Sequence, residues 1–335
     1  MSSNNGYELS DNFYNDLTTK YNEALNSEHI LFNGDSVINE IVELPIDNNK
    51  HFANAQLTLL TSLMHRPENN NKGNNENNPF EKPEPELTIL DNFGSNKELK
   101  LVFNKFPVNA KHFLLITKKF SSQNLPLLPT ELLATYNILN KINKLKPEGE
   151  EWFAFYNCGP ESGASQAHKH IQFMTLPPKN KFKSYPEVCL ENKLFKKDNN
   201  NNLNILDATK PLQNQDLPFS QFLIKLPENK EELTEEILTK SFTSLLQSTL
   251  TILRNNSINH ISYNFIMTTE FMLMIPRSKS KYQDKLGINS CGVYGLLLCK
   301  NQELFDMVKE VGVLNILKEV CVPNSSDITF DEYSY

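Results

Sequence analysis

The sequence predicts an α+β protein in which two related halves are built around antiparallel sheet with flanking helices. Two pairs of apolar runs, within residues 99–117 and 263–275, have the length and spacing of antiparallel strand pairs. Three segments, 9–25, 132–145 and 231–253, place apolar residues at helical spacing. Strands and helices that do not alternate regularly along the chain are typical of α+β architecture.

A short internal echo predicts that the two halves are related. Val102-Phe-Asn104 precedes the apolar run 112–118, and Ser262-Tyr-Asn264 precedes the apolar run 271–277. In each case an asparagine ends one strand, and the next strand ends in a cationic residue. We therefore predict a duplicated arrangement in which only the first half carries a histidine strand.

Residues 1–180 are predicted to form the first half. Phe13, Leu17, Tyr21 and Leu25 lie on one apolar stripe of the helix predicted over 9–25. The predicted elements that follow are a strand over 37–44, an apolar segment over 56–64, hairpin strands over 99–104 and 112–117, a helix over 132–145, a strand over 151–157 buried on both faces, and the histidine strand over 167–175.

Residues 231–325 are predicted to form the second half and to complete the nucleotide site, after an irregular excursion over 181–230. Two asparagine-rich tracts, near 69–78 and 199–202, are predicted to be surface loops. We therefore treat 1–335 as a single catalytic unit. The predicted elements of the second half are a helix over 231–253, strands over 263–267, 271–275 and 292–299, and a closing helix over 302–320.

Composition limits the class of function. The formal net charge of −7 argues against binding to nucleic acid or to an anionic membrane surface. Five cysteines without a C-x-x-C pair predict reduced thiols. The first residues lack a signal-peptide core, and no apolar run has membrane-spanning length. We expect a monomer in the cytosol, with the nucleus as a second compartment.

The stretch Ala167–Thr175 carries the residues with the most specific chemistry. Its alternation places His168, His170 and Gln172 on one face of a strand, about 7 Å from one to the next. The preceding loop, 159–166, consists largely of small residues whose backbone N–H groups could face an anion.

Three chemistries remain open for these histidines, beside a purely structural role. They could ligate a metal, although no cluster nearby supplies a third ligand and the other histidines are dispersed along the chain. One of these others, His112, is expected to be structural. One of them could act as a general acid or base. Alternatively, His170 could attack phosphorus and carry a nucleotidyl group. That route needs a carbonyl or imidazole that accepts from the histidine, donors for the phosphate oxygens, and cations. Lys105, Lys169 and Arg277 are the candidate cations.

The string His168-Lys-His170-Ile-Gln172 resembles the H-x-H-x-Q variant of the histidine-triad superfamily. The longer string 162–172 is similar to the signature of fungal diadenosine tetraphosphate phosphorylases, also called ATP adenylyltransferases. Further stretches that resemble this family occur in the same order, at 104–107 with 112–117, at 120–129 and at 263–277. The resemblance implies a histidine-triad-like fold.

It also implies phosphorolysis of a dinucleoside tetraphosphate by inorganic phosphate, giving ATP and ADP through an adenylylated histidine. His170 would be the nucleophile, Gln172 would contact the transferred phosphate, and His168 would support the site. A divalent cation, Mg²⁺, would be bound mainly by the substrate's polyphosphate and not by a protein metal site. The positions that match substrate-binding residues of the family are Arg66, where the family has lysine, Asn104, Lys105, Asn157, Gly163, Ala164, Ser165, Gln166, Thr268, Thr269, Glu270, Met274 and Arg277.

Two alternatives accompany this interpretation. Hexose-1-phosphate uridylyltransferases use a similar histidine strand, but their His-Pro-His sequence and metal-binding cysteines are missing here. The chain could instead be a catalytically silent nucleotide sensor on the same scaffold. Turnover of a labelled dinucleotide distinguishes a sensor from an enzyme.

Overall fold

The structure, a computed structural model, describes residues 6–32, 37–60, 78–195 and 210–324, with residue 231 described by its backbone alone. The helices are α1 (Phe13–Asn26), α2 (Pro129–Leu145), α3 (Tyr185–Glu191), α4 (Glu235–Asn255), α5 (Ser290–Val293), α6 (Gln302–Val311) and α7 (Val313–Val320). The strands are β1 (Val37–Ile46), β2 (His51–Leu60), β3 (Thr88–Phe93), β4 (Leu99–Phe103), β5 (Phe113–Thr117), β6 (Trp152–Cys158), β7 (His170–Thr175), β8 (Phe222–Lys225), β9 (Tyr263–Met267), β10 (Phe271–Pro276), β11 (Lys281–Tyr282), β12 (Leu286–Gly287) and β13 (Leu296–Cys299).

One antiparallel sheet of eight strands, in the order β3-β4-β5-β7-β6-β9-β10-β8, joins both halves of the chain. The predicted hairpin partners pair as expected, β4 with β5 and β9 with β10. β6 lies at the centre between β7 and β9, and all seven of its residues are buried. The predicted α+β class is confirmed, because helices cover this antiparallel sheet.

The two faces of the sheet have different partners. On one face α1, α2 and α4 pack over an apolar core that includes Trp152, Phe173 and Phe265. The other face carries Met174 and Phe155 and packs on a second core, formed with the three-stranded sheet β1-β2-β13 and with helices α3, α6 and α7. The alternation of β7 places His170 and Gln172 on this second face, with Met174.

The predicted irregular excursion contains regular structure. Ser184 and Glu187 form a capping box in which the Ser184 N–H donates to the Glu187 carboxylate at 2.8 Å, so α3 begins there. The short strand β8 adds to the edge of the large sheet by pairing with β10. The S-x-x-E spacing at 184–187 was visible in the sequence, whereas the three apolar residues of β8 alone do not distinguish a strand from a helix.

Two predictions near the end of the chain are partly wrong. The predicted strand over 292–299 is a short helix, α5, followed by the strand β13. The Asn289 side chain caps α5 by accepting from the N–H groups of Cys291 and Gly292. The predicted single helix over 302–320 is divided into α6 and α7 at Gly312, whose φ of 84° is incompatible with a continuous helix.

None of the helices in the described part of the chain combines the length and the apolar character that crossing a bilayer requires.

Candidate active site

His170 is the first residue of β7, and its imidazole orientation is fixed by the backbone. Its Nδ1 lies 2.8 Å from the carbonyl oxygen of His168. Because a carbonyl can only accept, Nδ1 carries the proton and Nε2 keeps its lone pair. His170 is therefore held in the tautomer that a nucleophile at Nε2 requires.

The side chain of Gln123 holds the start of the histidine strand. Its Oε1 accepts from the His170 N–H at 2.8 Å, and its Nε2 donates to the Asn157 carbonyl at 2.7 Å. Residues 167–169 pair with residues 121–123 through two backbone hydrogen bonds. The pairing of β7 with β6 begins at Gln172, and its pairing with β5 begins at His170. The regular strand therefore begins at His170 and not at Ala167 as predicted.

His168 is held at both of its ring nitrogens. The Asn78 amide nitrogen lies 2.9 Å from Nδ1, and Thr117 Oγ1 lies 2.9 Å from Nε2. Asn78 Oδ1 accepts from the Phe80 N–H, so the amide nitrogen is the donor and Nδ1 accepts. Desolvation lowers the pKa of His168 below its ordinary value. The lowered pKa and the accepting Nδ1 favour a neutral His168 imidazole, and its supporting role stays a prediction.

The lowered pKa of His168 predicts that the protein is less stable in mild acid. Unfolded histidine takes up a proton near its ordinary value of 6.5, whereas the folded group does so only at lower pH. The contribution of His168 to the free energy of unfolding is therefore fully present above pH 6.5, and it is lost as the pH falls towards the pKa of His168 in the folded protein. Thermal unfolding across this range should show a smaller decrease for His168→Asn than for the parent protein. Equal decreases would contradict this assignment.

A directed chain of hydrogen bonds orients Gln172. Asn104 Oδ1 accepts from the Phe106 N–H at 3.0 Å, so its amide nitrogen faces His112 Nδ1 at 3.3 Å. His112 Nδ1 accepts, so its Nε2 carries the proton and lies 3.1 Å from Gln172 Oε1. Gln172 therefore accepts from His112 and keeps its amide N–H₂ as a donor for the site. His112 forms hydrogen bonds, as expected of a structural residue, and one of its partners is Gln172.

The predicted phosphate loop is tied to the second half of the chain. Gly159 and Gly163 have φ of 89° and 78°, and a side chain at either position would collide with the backbone carbonyl of Ile261 or Ile288. Ser162 Oγ donates to the Gly159 carbonyl at 2.7 Å. The next four loop residues, Gly163, Ala164, Ser165 and Gln166, are half-buried or exposed and lie directly before the histidines.

Behind this loop, a buried polar network contains two predicted substrate contacts. Asn157 Oδ1 accepts from Asn264 Nδ2 at 2.8 Å and from the Ser290 hydroxyl at 2.7 Å. The Arg277 guanidinium, which is 0% exposed, donates to Asn264 and to the carbonyls of Ile288, Lys279 and Val320. Arg277 thus joins several backbone segments, and its contact with substrate stays a prediction.

Two of the expected cations have carboxylate partners. Lys105 Nζ lies 2.5 Å from Glu84, whose pKa is lowered by hydrogen bonds from Lys105 and His29. Lys169 points to the face of the sheet that α1, α2 and α4 cover, where its ammonium lies 2.8 Å from Glu131 at the start of α2. The expectation that Lys169 neutralises a polyphosphate is wrong, because strand alternation turns it away from His170.

The Lys169–Glu131 pair predicts a large loss of stability when one partner is removed. Both side chains are almost completely buried, at 3% and 4% exposure. Lys169→Met should lower the free energy of unfolding by about 3–5 kcal/mol, because it leaves a buried carboxylate unpaired. The double variant Lys169→Met/Glu131→Gln should recover most of this loss, since the amide oxygen still accepts from the Leu128 N–H. Chemical denaturation measures both, and a single-variant loss below about 1 kcal/mol would contradict the burial argument.

The remaining predicted residues do not lie with the histidines. Thr268, Thr269 and Glu270 form the β9–β10 turn. This turn lies at the end of the sheet where Trp152 pairs with Thr175, which is the opposite end of β7 from His170. Met274 is fully buried in the core between the sheet and helices α1, α2 and α4. Arg66 lies outside the described residues. Among the described residues, no three His, Cys, Asp or Glu side chains form a group that could hold a metal ion.

Two family models match the chain and together span most of it. The model for the Ap4A phosphorylase N-terminal domain matches residues 43–193, which include the histidine strand. The model for the ATP adenylyltransferase C-terminal domain matches residues 215–323.

Relatives of known sequence or structure agree with these models. The chain is 36% identical over 289 residues to Protein APA1 of Saccharomyces cerevisiae, covering 83% of this chain and 86% of that protein. It is 33% identical over 291 residues to diadenosine 5',5'''-P1,P4-tetraphosphate phosphorylase 2 of the same yeast, covering 83% and 87%. The crystal structure of yeast Ap4A phosphorylase Apa2 in complex with Ap4A superposes with a TM-score of 0.77 at 29% identity, covering 95% of this chain and 100% of that one. The Apa2 complex with AMP gives a TM-score of 0.77 at 28% identity, covering 96% and 100%.

Proposed function

The chain belongs to the Ap4A phosphorylase family, and from that premise we propose that it transfers an adenylyl group through His170. The protein is a nucleotidyltransferase that cleaves Ap4A with phosphate to give ATP and ADP. The covalent route through His170 is the part that we propose. The observation that carries the proposal is the 2.8 Å contact between His170 Nδ1 and the His168 carbonyl, which places the proton on Nδ1 and the lone pair on Nε2.

In the first proposed step, His170 Nε2 attacks the phosphorus next to one adenosine. The bond from that phosphorus to the bridging oxygen breaks, and ATP leaves with the electron pair. A triphosphate is a weak base, so its departure requires no proton from a neighbouring acid. The neutral His168, engaged at both ring nitrogens, fits a supporting role and not that of an acid.

In the second step, an oxygen of inorganic phosphate attacks the same phosphorus. The P–N bond breaks, ADP forms, and the electron pair returns to His170 Nε2. The Gln172 amide N–H₂, oriented by His112, would donate to the non-bridging oxygens in both transition states. A preorganised donor in a buried site stabilises this charge without the reorganisation that water would need.

We propose Mg²⁺ as the assisting cation, bound mainly through the substrate's polyphosphate, where it would neutralise charge. Activity that persists undiminished in excess chelator would exclude this role.

We also propose that the protein acts as a monomer in the cytosol, with the nucleus as a second compartment. Light scattering on the purified protein and imaging of a tagged copy test these two expectations.

Isotopically labelled phosphate tests which phosphorus is attacked and which product receives the acceptor phosphate. With ¹⁸O-labelled phosphate and Ap4A, the label should appear in the terminal phosphate of ADP and be absent from ATP. Label in ATP would contradict attack at the phosphorus next to adenosine, and formation of both products without phosphate would contradict phosphate as the acceptor.

A further inference from the structure

One apolar side chain lies against the histidine pair without a role in the proposed steps. The ring of Phe80 lies 5.1 Å from the His170 ring and 5.9 Å from the His168 ring, measured between centroids. It packs on a small apolar cluster formed by Val102, Leu114 and Ile116. Ile116 pairs directly with His170 between β5 and β7, so the phenyl ring stands beside the nucleophile on the same face of the sheet.

The position of Phe80 is coupled to the histidines through Asn78. The Phe80 N–H donates to Asn78 Oδ1 at 3.1 Å, and the nitrogen of the same amide lies 2.9 Å from His168 Nδ1. Pro79 between them restricts the backbone to one φ region. The ring is therefore fixed against His170 by backbone, hydrogen bonds and packing together.

We propose that Phe80 protects the adenylyl–His170 bond from water and so directs the adenylyl group to phosphate. This inference rests on the proposed covalent route. In either outcome the P–Nε2 bond breaks, and its electron pair returns to His170. Attack by a phosphate oxygen gives ADP, whereas attack by water gives AMP and releases a proton. An apolar ring offers no hydrogen bond to a water molecule, so water beside the nucleophile is disfavoured while the ring is present.

The lifetime of the intermediate tests this role. The purified protein is mixed with Ap4A without phosphate, and the adenylylated mass and the released AMP are followed with time. In Phe80→Ala the adduct should disappear roughly tenfold faster than in the parent protein, which corresponds to a modest lowering of the barrier to hydrolysis. With phosphate present, the ratio of AMP to ADP should rise in the same variant.

Two further variants make the comparison specific. Phe80→Leu keeps an apolar side chain of similar reach and should restore a long-lived adduct. Phe120 is 61% exposed and its ring lies 5.4 Å from the His168 ring. Among the described contacts it touches His168 and not His170, so Phe120→Ala should leave the lifetime of the adduct unchanged.

The results separate this inference from the proposed function. If the parent protein forms no adduct yet produces ATP and ADP with phosphate, the covalent route fails whatever Phe80 does. If adducts form and decay equally fast in parent and Phe80→Ala, only the protective role is overturned. A folded Phe80→Ala that forms neither adduct nor AMP, or an equal shortening in Phe120→Ala, also overturns it.

Discussion

Replacing His170 with alanine is expected to lower the turnover of Ap4A by roughly 10⁶-fold, as for the loss of a covalent nucleophile. No other described histidine contacts the His168 carbonyl, which lies 2.8 Å from His170 Nδ1 and so leaves the lone pair of the neutral ring on Nε2. Initial rates of ATP and ADP formation, measured by chromatography at saturating Ap4A and phosphate, give the effect. Circular dichroism and thermal unfolding show whether the variant is folded, as the small alanine side chain at the first residue of β7 should permit.

The matched control is His51→Ala, the same chemical change at the start of β2. His51 lies next to the β1–β2 turn, 3.9 Å from Asp47, and is part of no described contact with the site. Its turnover should equal that of the parent protein. A folded His170→Ala with ordinary turnover would contradict the nucleophile assignment.

Replacing Gln172 with alanine is expected to lower kcat by about 10²–10³, the usual effect of removing one oxyanion donor. Gln172→Glu should be at least as damaging, because a carboxylate has no N–H to donate and repels the anionic phosphate. Both effects should fall mainly on kcat, since the donor acts most strongly in the transition state.

The chain of hydrogen bonds through His112 predicts a graded result. His112→Phe keeps a ring at the position but removes the donor that fixes the Gln172 amide. Turnover should fall about tenfold, the worth of one orienting hydrogen bond. The double variant His112→Phe/Gln172→Ala should be no worse than Gln172→Ala alone. Independent, multiplying effects of the two changes would contradict the relay.

Local patterns predicted much of the fold. Alternation and length identified both hairpins, and the uninterrupted apolar run identified β6 as the buried centre of the sheet. The period of two placed His170 and Gln172 on one face, as the structure has them. The same period turned Lys169 away from them, and the structure shows the consequence in its buried pair with Glu131.

The contacts that tune the site could not be predicted from local sequence. Gln123 reaches His170 across 47 positions and Asn78 reaches His168 across 90, with no periodic signal connecting them. His112 was visible as a residue, but its contact with Gln172 depends on the register of β5 against β7, in which Leu114 pairs with Gln172. Such contacts follow from sheet assembly and not from the pattern of one segment.

Intact-protein mass spectrometry after brief mixing with Ap4A, without phosphate, would detect the adenylyl-histidine itself. We expect a mass gain of one adenylyl group that is labile in acid and absent in His170→Ala. Addition of phosphate should remove the group and yield ADP. No adduct, with ATP and ADP still produced once phosphate is added, would contradict the covalent route and would point to direct attack of phosphate on Ap4A.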